Sequence, residues 1–600
     1  METTVRTLIK NGTIVNVFSN SLERENVLIE DDKIIGVGPY DDTDAEVIYD
    51  AFGKYICPGF IDGHSHIEST MLTPYEFSKA ALPHGTTSVV ADPHEIANVC
   101  GLDGIDYMLA SSENLPLNVY VNIPSCVPAT PFDESKMAIE AEEIEHYYAN
   151  PRVLGLAEMM NYPGVLGGDP KVLKKIQDAH AHRKVVDAHG PLLSGRELDK
   201  YIAAGILNEH ECTNSDEAIE KLKKGQRIMI RQGTAARDLI PLLPLFDEPY
   251  CNRCLLVTDD KHPADIINEG HIDYIIRTAV EHGKSVITAI KMATIQAAES
   301  FNLMYVGAVA PGYRADILVL DDLEKVSISE VYAKGRKVVS QGELIEFEKP
   351  KVSQKLEQAV RNSFYNKELT EADFYIEPKA KKCRVIKTNP GQLLTDEYVA
   401  EIDWDKNNGI SVEKDILKLA VIERHGNTGH IGVGFIKGIG ITKGAIAASV
   451  SHDSHNLIVI GTNDNDMACV ANCVRNMGGG NGVAVDGEIV AKMPLPIAGL
   501  MTEVSAKEAA DANEKVRGAV HQLGAPLNME PFMMMAFVSL PVIPHLKMTP
   551  GGLVDVGMRT FFWTFIQPIP GSFYNLSDSF LTKFLFVFLH TNVYNHLIYL

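Results

Sequence analysis

The stretch YICPGFIDGHSHIE, residues 55–68, ends an apolar, strand-like run with two histidines one residue apart. In a β-strand the side chains of residues i and i+2 point to the same face, so His64 and His66 can aim two imidazoles at one point. That arrangement suits a metal ion. An exposed turn with two polar residues is the alternative, and the rest of the chain has to decide between them.

The pattern of this stretch recurs along the chain, because a short apolar run with a polar end is repeatedly followed by a segment of helical periodicity. The eight runs are residues 55–62, 86–93, 118–124, 153–158, 185–189, 206–210, 227–232 and 255–260. Near-continuous apolar strands that alternate with helices indicate a parallel sheet, and eight such units are the number that closes a barrel. We therefore predict an α/β fold with a (β/α)8 TIM-type barrel.

Polar side chains stand at the ends of the predicted strands. They are Asp62, His64, His66, Asp92, His94, Glu95, Glu158, His189, His210 and Asp259. In a barrel of this type the active site is built at the carboxyl ends of the strands. One buried histidine at a strand end is most often an ordinary core residue, but this many at the ends of different strands favours a site.

Two short segments flank the predicted barrel. Both alternate apolar and polar positions between turn-forming residues, which is typical of antiparallel strands. Each flank is too small to fold alone. We therefore expect residues 1–54 and 303–345 to form one small β-sandwich beside a barrel of residues 55–302.

The remainder of the chain divides into three predicted parts. The charged residues 346–382 predict a linker with a helix, and residues 383–556 predict an α+β domain with helices near 464–477 and 505–523. The tail, residues 557–600, is crowded with phenylalanine and tyrosine, but Lys583 and the polar residues after it interrupt the apolar run. Because a bilayer span needs about 20 predominantly apolar residues, we assign the tail no membrane role.

Composition limits the partners and the compartment. The formal net charge of −24 counts against nucleic acid, which is bound mainly through lysine and arginine. Nine scattered cysteines fit reduced thiols, and Cys251 and Cys254 have no second pair at zinc-ribbon spacing. The N-terminus lacks a secretory pattern. We expect a cytoplasmic protein that acts on a small molecule, contacts no membrane and forms a homo-oligomer.

Six of the strand-end residues form a candidate ligand set, namely His64, His66, Glu158, His189, His210 and Asp259. Six ligands can hold two divalent ions if one carboxylate bridges them, and Glu158 is placed to bridge. Two such ions lower the pKa of a shared water from 15.7 to about 7. Asp259 can ligate one ion and also carry a proton to a leaving nitrogen. Nitrogen and oxygen ligands without cysteine suit manganese, iron(II) or zinc.

Longer motifs around these residues resemble a known family. PGFIDGHSH (58–66), GYRADILVLD (312–321) and the paired flanks are similar to the amidohydrolase superfamily. The motifs that more narrowly resemble adenine deaminases are HIESTM (66–71), ADPHEIANVCG (91–101), GLAEMMNYPGV (155–165), DAHGP (187–191), EHE (209–211), VTDDKH (257–262), SHDSHN (451–456) and NMGGGNG (476–482). The resemblance covers roughly residues 5–556.

This resemblance implies hydrolysis of adenine to hypoxanthine and ammonia at a binuclear, manganese-supported centre. The positions that match the family's ligands are His64, His66, His189, His210 and Asp259. Glu158 takes the bridging place that a carbamylated lysine holds in many relatives, and the segment around it has no lysine.

Adenine reacts at C6 only when an acid protonates N1 or donates a hydrogen bond to it, which requires a carboxyl group with a raised pKa. Glu95 is our first candidate for a catalytic acid, with His94 helping to hold the ring, and Glu68 is the second. Capping of the following helix is the alternative role for Glu95. Arg231 and Gln232, at the end of the seventh strand, could also face the pocket.

Several alternatives stay open from the sequence. His452 and His455 belong to a second metal site, to a loop over the barrel mouth, or to a polar turn. A cyclic-amide hydrolase of the dihydroorotase or imidazolonepropionase type would use the same barrel, although the DPHE strand end (92–95) and the long C-terminal region count against it. A non-enzymatic scaffold relative would gain little from six convergent polar groups. A zinc deaminase of the cytidine type is poorly supported, because its P-C-x-x-C signature is absent.

Overall fold

The computed structural model describes residues 5–389, 394–558, 560–562 and 564. Eight strands form one parallel sheet in sequence order, and we number them barrel strands 1–8. They are Phe60–Ser65, Thr86–Ala91, Asn118–Ile123, Val153–Met159, Val185–Ala188, Asn208–Glu209, Arg227–Arg231 and Cys254–Val257. The strands are buried along nearly their whole length, which explains why their sequences are apolar without alternation.

The sheet closes on itself at the carboxyl ends of strands 1 and 8. Asp259, two residues past strand 8, forms a parallel bridge with Ser65, and its N–H donates to the carbonyl of His64 at 3.0 Å. The predicted (β/α)8 barrel is therefore confirmed. Closure at this edge also places Asp259 beside the two histidines of strand 1.

The first predicted strand, residues 55–62, is wrong as a single element. Tyr55–Pro58 pairs with Ile317–Asp322 in a flanking sheet, and the barrel begins only at Phe60. Gly59 separates the two strands, and a Cβ at this position would lie 2.2 Å from Oγ1 of Thr87. The chain therefore passes too close to barrel strand 2 for a side chain, and the barrel boundary moves from residue 55 to residue 60.

Helices cover the outside of the barrel. Those between the strands are Pro74–Ala81, His94–Cys100, Leu102–Ser111, Ala141–Ile144, Tyr162–Gly167, Pro170–Ala181, Gly195–Ala203, Ser215–Lys223 and Leu239–Leu242. Those after strand 8 are Pro263–Asn268, Ile272–Glu281, Val286–Met292 and Ile295–Ser300. Local sequence sets several of their starts. The Asn214 side chain, for example, accepts a hydrogen bond from the N–H of Glu217 and so caps its helix.

The two flanks of the barrel segment form two sheets with a shared core. One sheet contains Arg6–Lys10, Asn26–Glu30, Lys33–Gly38 and Val47–Asp50. The other contains Thr13–Asn16, Ser21–Arg24, Tyr55–Pro58, Ile317–Asp322, Ser327–Ala333, Arg336–Ser340 and Glu343–Leu344. Ile9 and Ile29 from the first sheet pack in one buried cluster with Ile56 and Ile317 from the second. Strands from both sides of the barrel segment thus complete a single sandwich.

The C-terminal region is built on a second large sheet. Its strands are Lys382–Thr388, Thr395–Glu401, Ile416–Ile422, Ile431–Lys437, Ala445–Ala448, Leu457–Gly461, Gly480–Val485 and Glu488–Pro494. The helices of this region are Asp464–Asn476, Ala506–Gln522 and Pro531–Val538. The segment predicted as a linker contains the helix Gln354–Arg361, which packs on barrel helix Leu102–Ser111.

A small sheet, the fifth in the described part of the chain, extends past the predicted end of the C-terminal domain. It contains Leu546–Thr549, Gly552–Asp555 and Thr560–Phe562. The third of these strands lies in the region predicted as an atypical tail. Its backbone pairs with Gly552–Asp555, so the sheet continues into that region. Most of that tail, from residue 565 onward, lies outside the described residues. Among the described residues, no helix combines the length and the apolar character that crossing a membrane requires.

The loop after barrel strand 3 joins the barrel to the C-terminal domain. The Asn456 amide donates to the carbonyl of Glu134 at 2.8 Å, and the Lys136 ammonium donates to the carbonyl of His425 at 3.2 Å. In both contacts the acceptor is a backbone carbonyl, whose position is set by the backbone and not by a side-chain rotamer. The C-terminal domain is thereby held against the mouth of the barrel.

Arg314 ties the sandwich to the barrel and gives a test of this architecture. Its guanidinium donates to Tyr120 Oη at 2.6 Å and to Ser88 Oγ at 2.9 Å, and it pairs with Asp316 at 2.5 Å. Replacing Arg314 by methionine leaves a buried carboxylate without its cation. We expect the free energy of unfolding to fall by about 3 kcal/mol, measured from the urea midpoint by circular dichroism.

Arg6→Met is the matched control. The Arg6 guanidinium pairs with Glu30 at 2.7 Å, but its side chain is 46% exposed. An exposed pair contributes about 1 kcal/mol or less, so the control should change the midpoint little. Equal shifts for the two variants would contradict the role given to Arg314.

Candidate metal centre and active site

The six predicted ligands lie together where the barrel strands end. In strand order they are His64 and His66, Glu158, His189, His210 and Asp259, and we call them the ligand cluster. All except His189 are buried. The ligating atoms of His64, His66 and Asp259 lie within 4.8 Å of one another, as do those of His64, Glu158 and His210. Side chains from five different strand ends therefore converge on one small volume.

Glu158 stands between two groups of imidazoles. Its Oε1 lies 3.4 Å from Nε2 of His66, whereas its Oε2 lies 2.6 Å from Nδ1 of His189 and 3.2 Å from Nε2 of His210. Burial opposes ionisation of this carboxyl group, but His189 and His210 hold its pKa well below the usual range. A carboxylate with its two oxygens turned to different ligand groups has the geometry of a bridge between two cations.

Asp259 is held by the barrel seam and by Arg231. Its Oδ1 lies 3.2 Å from Nε2 of His66 and 3.6 Å from Nε2 of His64, and its Oδ2 accepts a hydrogen bond from Arg231 at 3.0 Å. The same guanidinium also contacts Glu211 and Asp238. One oxygen of Asp259 therefore faces the histidines, while the other is fixed by a cation.

The chemistry of this donor set fits divalent ions. Among the described residues, His64 Nε2 and His210 Nδ1 are buried without a hydrogen-bond partner. Burial and the neighbouring His210 lower the pKa of His64, which favours the neutral imidazole that a metal requires. The His64 and His210 rings stack with their centroids 4.4 Å apart, a spacing at which two imidazolium cations would repel. Nitrogen and carboxylate donors with no sulfur suit manganese, iron(II) or zinc.

A backbone contact orients one of the ligand histidines. Nδ1 of His66 lies 3.1 Å from the carbonyl oxygen of Asp92, which requires that this nitrogen carry the proton. The other ring nitrogen, Nε2, faces Glu158 and Asp259 and is then free to bind a metal ion. Outer hydrogen bonds of this kind fix the tautomer and the ring orientation of metal-binding histidines.

Both candidate acids are buried near the ligand cluster, but in different cavities. Glu95 accepts a hydrogen bond from Ser69 Oγ at 2.7 Å and lines the large cavity at the barrel mouth. Glu68 accepts from the N–H of Ile96 at 3.3 Å and lines a neighbouring cavity of about 50 Å³. Burial raises the pKa of Glu95, and burial together with Glu95 raises that of Glu68 to about 8.

The helix-capping alternative for Glu95 is not what the structure contains. The N-cap position of helix His94–Cys100 is Pro93, which makes no side-chain cap. His94, predicted to hold the substrate ring, lies closer to the ligands than expected. Its Nδ1 is 3.6 Å from Glu158 and 3.3 Å from Asp92. Burial disfavours the charged ring, but Asp92 raises the pKa of His94 to about 10.

Three acidic residues join this site beyond the predicted ligand set, although Asp92 was already among the polar residues at the predicted strand ends. Asp92 joins His66, His94 and Glu158 in a group able to hold a metal ion. Glu211 lies 3.3 Å from Nε2 of His210, and although burial opposes it, Arg231 keeps its pKa far below the usual range. Both lie in motifs that the sequence already showed, Asp92 in DPHE (92–95) and Glu211 in EHE (209–211). The third, Asp453, comes from the C-terminal domain, where no local pattern indicates a barrel contact.

The ligand cluster opens into a cavity of about 730 Å³ that both domains line. The barrel supplies His94, Glu95 and Arg231. Of the two residues at the end of strand 7 that could have faced the pocket, Arg231 lines the cavity, whereas Gln232 is buried and is not part of this lining. The C-terminal domain supplies His452 and Asp453. The second pair of histidines lies on a loop over the barrel mouth, and the ligating atoms of His452, His455 and Glu95 lie within 4.8 Å of one another, so the alternative of a second metal site stays open.

Both parts of the chain match known protein families. Residues 55–343 match the model described as "Amidohydrolase family", and residues 392–560 match "Adenine deaminase C-terminal domain". The β-aspartyl dipeptidase structure from Fervidobacterium islandicum AW-1 is 17% identical with a TM-score of 0.46, covering 58% of this chain and 100% of that chain. The family assignment does not rest on that structure.

Curated relatives match over nearly the full chain. "Adenine deaminase 2" of Carboxydothermus hydrogenoformans is 45% identical over 92% of this chain and 95% of its own length. "Adenine deaminase" of Desulfatibacillum aliphaticivorans is 42% identical over 92% and 96%, and that of Kosmotoga olearia is 44% identical over 93% and 96%. With this likeness across both domains, the chain belongs to the adenine deaminase family of the amidohydrolases.

Proposed function

We propose that this protein hydrolyses adenine to hypoxanthine and ammonia. The observation that carries the proposal is the ligand cluster at the barrel mouth, with Glu158 between two groups of histidines, in a chain of the adenine deaminase family. In the overall reaction water adds at C6, the C6–N6 bond breaks, and the amine leaves as ammonia. The product carries a carbonyl at C6.

The six residues of the ligand cluster would hold two divalent ions, with Glu158 shared between them. When bound, such ions acidify water and so supply a nucleophile at neutral pH. We propose manganese from the resemblance to the family, with iron(II) or zinc as substitutes that the same donors accept. The nitrogen-rich donor set and the unpartnered His64 Nε2 support this assignment.

Asp259 is proposed as the group that moves the proton. Its Oδ1 lies against His64 and His66, and its Oδ2 is held by Arg231 at 3.0 Å. A carboxylate fixed in this way can accept a proton from the attacking water and donate it to the departing N6. The contact with Arg231 restricts rotation, so Oδ1 stays turned toward the reaction site.

Glu95 is proposed as the acid that activates N1, with His94 beside the substrate ring. Glu95 lines the large cavity, and burial raises its pKa, which favours the protonated carboxyl that can donate to N1. One of its oxygens is held by Ser69, and its Oε2 has no hydrogen-bond partner among the described residues. Glu68 faces the smaller cavity and is the weaker candidate.

A cytoplasmic, homo-oligomeric enzyme completes the proposal. All nine cysteines are free in the structure, which is typical of a reducing compartment. The oligomeric state is carried over as an expectation, and size-exclusion chromatography with light scattering would measure it.

The central test is ammonia release by protein purified without iron and reconstituted with manganese. Adenine, adenosine and dihydroorotate are the substrates, and Asp259→Asn is the control. We expect turnover of adenine alone, and we expect the control to lose it. Release of the ring-opened acid from dihydroorotate would instead favour a cyclic-amide hydrolase. A protein that binds metal and turns over none of the three would contradict the proposed substrate.

Glu158→Gln tests the bridging role. An amide cannot supply two anionic oxygens, so the variant should bind one metal equivalent fewer and lose activity by about 100-fold or more. Elemental analysis by inductively coupled plasma mass spectrometry measures the metal directly. Glu209→Gln is the control, because Glu209 is equally buried but pairs with Lys221 at 3.2 Å. Retention of two equivalents by Glu158→Gln would remove Glu158 from the bridge.

Glu95→Gln and Glu68→Gln separate the two candidate acids. If Glu95 donates to N1, Glu95→Gln should lower kcat by about 10²- to 10⁴-fold with both metal equivalents retained. Glu68→Gln should have a much smaller effect, because its carboxyl lies in the other cavity. The reverse order of the two effects would transfer the role to Glu68.

A further inference from the structure

We propose that Asp453, from the C-terminal domain, accepts a hydrogen bond from the N–H of the substrate's five-membered ring and so restricts the enzyme to free purine bases. The inference rests on the proposed function and adds to it a residue that determines specificity. A free base carries one N–H on its imidazole ring, whereas a nucleoside carries a sugar at that position. A carboxylate that accepts a hydrogen bond from this N–H therefore distinguishes free bases from nucleosides.

Asp453 is buried, borders the cavity and has one oxygen without a hydrogen-bond partner among the described residues. The residue is 5% exposed, and it lines the cavity into which the ligand cluster opens. Its Oδ2 has no hydrogen-bond partner among the described residues. A buried carboxylate oxygen left unpaired is costly, so a donor is expected to reach it from within the cavity. No described residue donates to this oxygen, the neighbouring Asp133 included, and the proposal assigns the donor to the substrate.

His94 lies between Asp453 and the ligand cluster. Its Oδ1 lies 3.9 Å from Nε2 of His94, and Glu158 Oε1 lies 3.6 Å from Nδ1 of the same ring. The two carboxylates thus stand at opposite edges of one imidazole. A purine lying along His94 would place C6 near Glu158 and its five-membered ring near Asp453.

The walls beside Asp453 suit a flat apolar ring. His452 stacks on Phe537 with ring centroids 4.8 Å apart and an interplanar angle of 26°. Leu540, Pro541 and Val542 also line the cavity. Apolar walls with a few placed polar groups are the usual construction of a small-molecule site, in which the polar groups set the orientation.

The loop that carries Asp453 is fixed on both sides. The carbonyl of Ser454 lies 2.9 Å from Nε2 of His425, and the carbonyl of His455 accepts from the buried guanidinium of Arg424. Asn456 donates to the carbonyl of Glu134 in the barrel at 2.8 Å. Asp453 is therefore held in place before substrate arrives, which is what selective recognition of one hydrogen bond requires.

The remaining charged groups around Asp453 are consistent with this role. His94 and His452 each approach its Oδ1 at 3.9 Å, beyond hydrogen-bond distance. Asp133, on the loop after barrel strand 3, is the carboxyl next to it but does not line the cavity. Burial, reinforced by Asp453, raises the pKa of Asp133 well above the usual range. Of this carboxyl pair, Asp453 is the one that faces substrate.

The test compares substrates with and without the ring N–H. Kinetics are measured on manganese-loaded wild type, Asp453→Asn and Asp133→Asn with adenine, 9-methyladenine and adenosine. Because a site built for one hydrogen bond rejects analogues that lack it, kcat/KM for 9-methyladenine should be about 10⁴-fold below that for adenine in the wild type. Asp453→Asn should lower kcat/KM for adenine about 100-fold, keep two metal equivalents and leave the 9-methyladenine value unchanged.

Asp133→Asn should leave the ratio of adenine to 9-methyladenine as in the wild type, since it removes a buried carboxyl of the same region without touching the cavity. The inference is overturned if wild type accepts 9-methyladenine within about tenfold of adenine. It is also overturned if Asp453→Asn slows both substrates equally, or if Asp133→Asn changes the ratio as much. Wild-type protein that releases no ammonia from adenine would overturn the proposed function itself, and the missing reference rate distinguishes that outcome. Should Asp453→Asn not fold, the wild-type comparison can still overturn the inference, and Asp453→Ser takes the place of the asparagine variant in the kinetics.

Discussion

The contact on which the rest of the site depends is a single buried carboxylate placed between imidazoles. Glu158 belongs to strand 4, and its two oxygens face residues from strand 1 on one side and from strands 5 and 6 on the other. Taking a carboxylate out of water costs several kcal/mol unless opposite charge or metal compensates it. Only a closed barrel brings those strand ends around one point. The barrel geometry and the charge of Glu158 therefore require each other.

A second layer of charge keeps the ligands in place. Arg231 contacts Asp259, Glu211 and Asp238 at once, so one guanidinium orients three carboxylates around the barrel mouth. Arginine suits this position because its planar fork offers several donors and stays charged when buried. The arrangement leaves anionic and neutral donors turned inward and the fixed cation outside them. That distribution of charge favours the binding of divalent cations at the centre of the ligand cluster.

Much of this could be predicted from the sequence, because the barrel strands are buried on both faces and so appear as continuous apolar runs. The candidate ligands were proposed from the polar residues that end those runs, and the structure brings these side chains together. The first strand was misplaced because Tyr55–Pro58 leads directly into the apolar start of Phe60–Ser65, and only the close approach of Gly59 to Thr87 separates them. Asp453 could not be found in this way. Its contact with His94 depends on how the domains pack, which local periodicity does not encode.

The sandwich built from both sides of the barrel segment has a consequence for how the chain is made. Tyr55–Pro58 finds its antiparallel neighbour only in Ile317–Asp322, so a nascent chain that has left the ribosome as far as strand 8 still carries an open sheet edge. Translation adds about 5–20 residues per second, and an unpaired apolar edge attracts other chains during that interval. The edge stays unpaired until the strands from Ile317 onward have been synthesised, so solubility during synthesis depends on their pairing. A chain released from a ribosome that stalled before Ile317 would keep this open edge and be prone to aggregate.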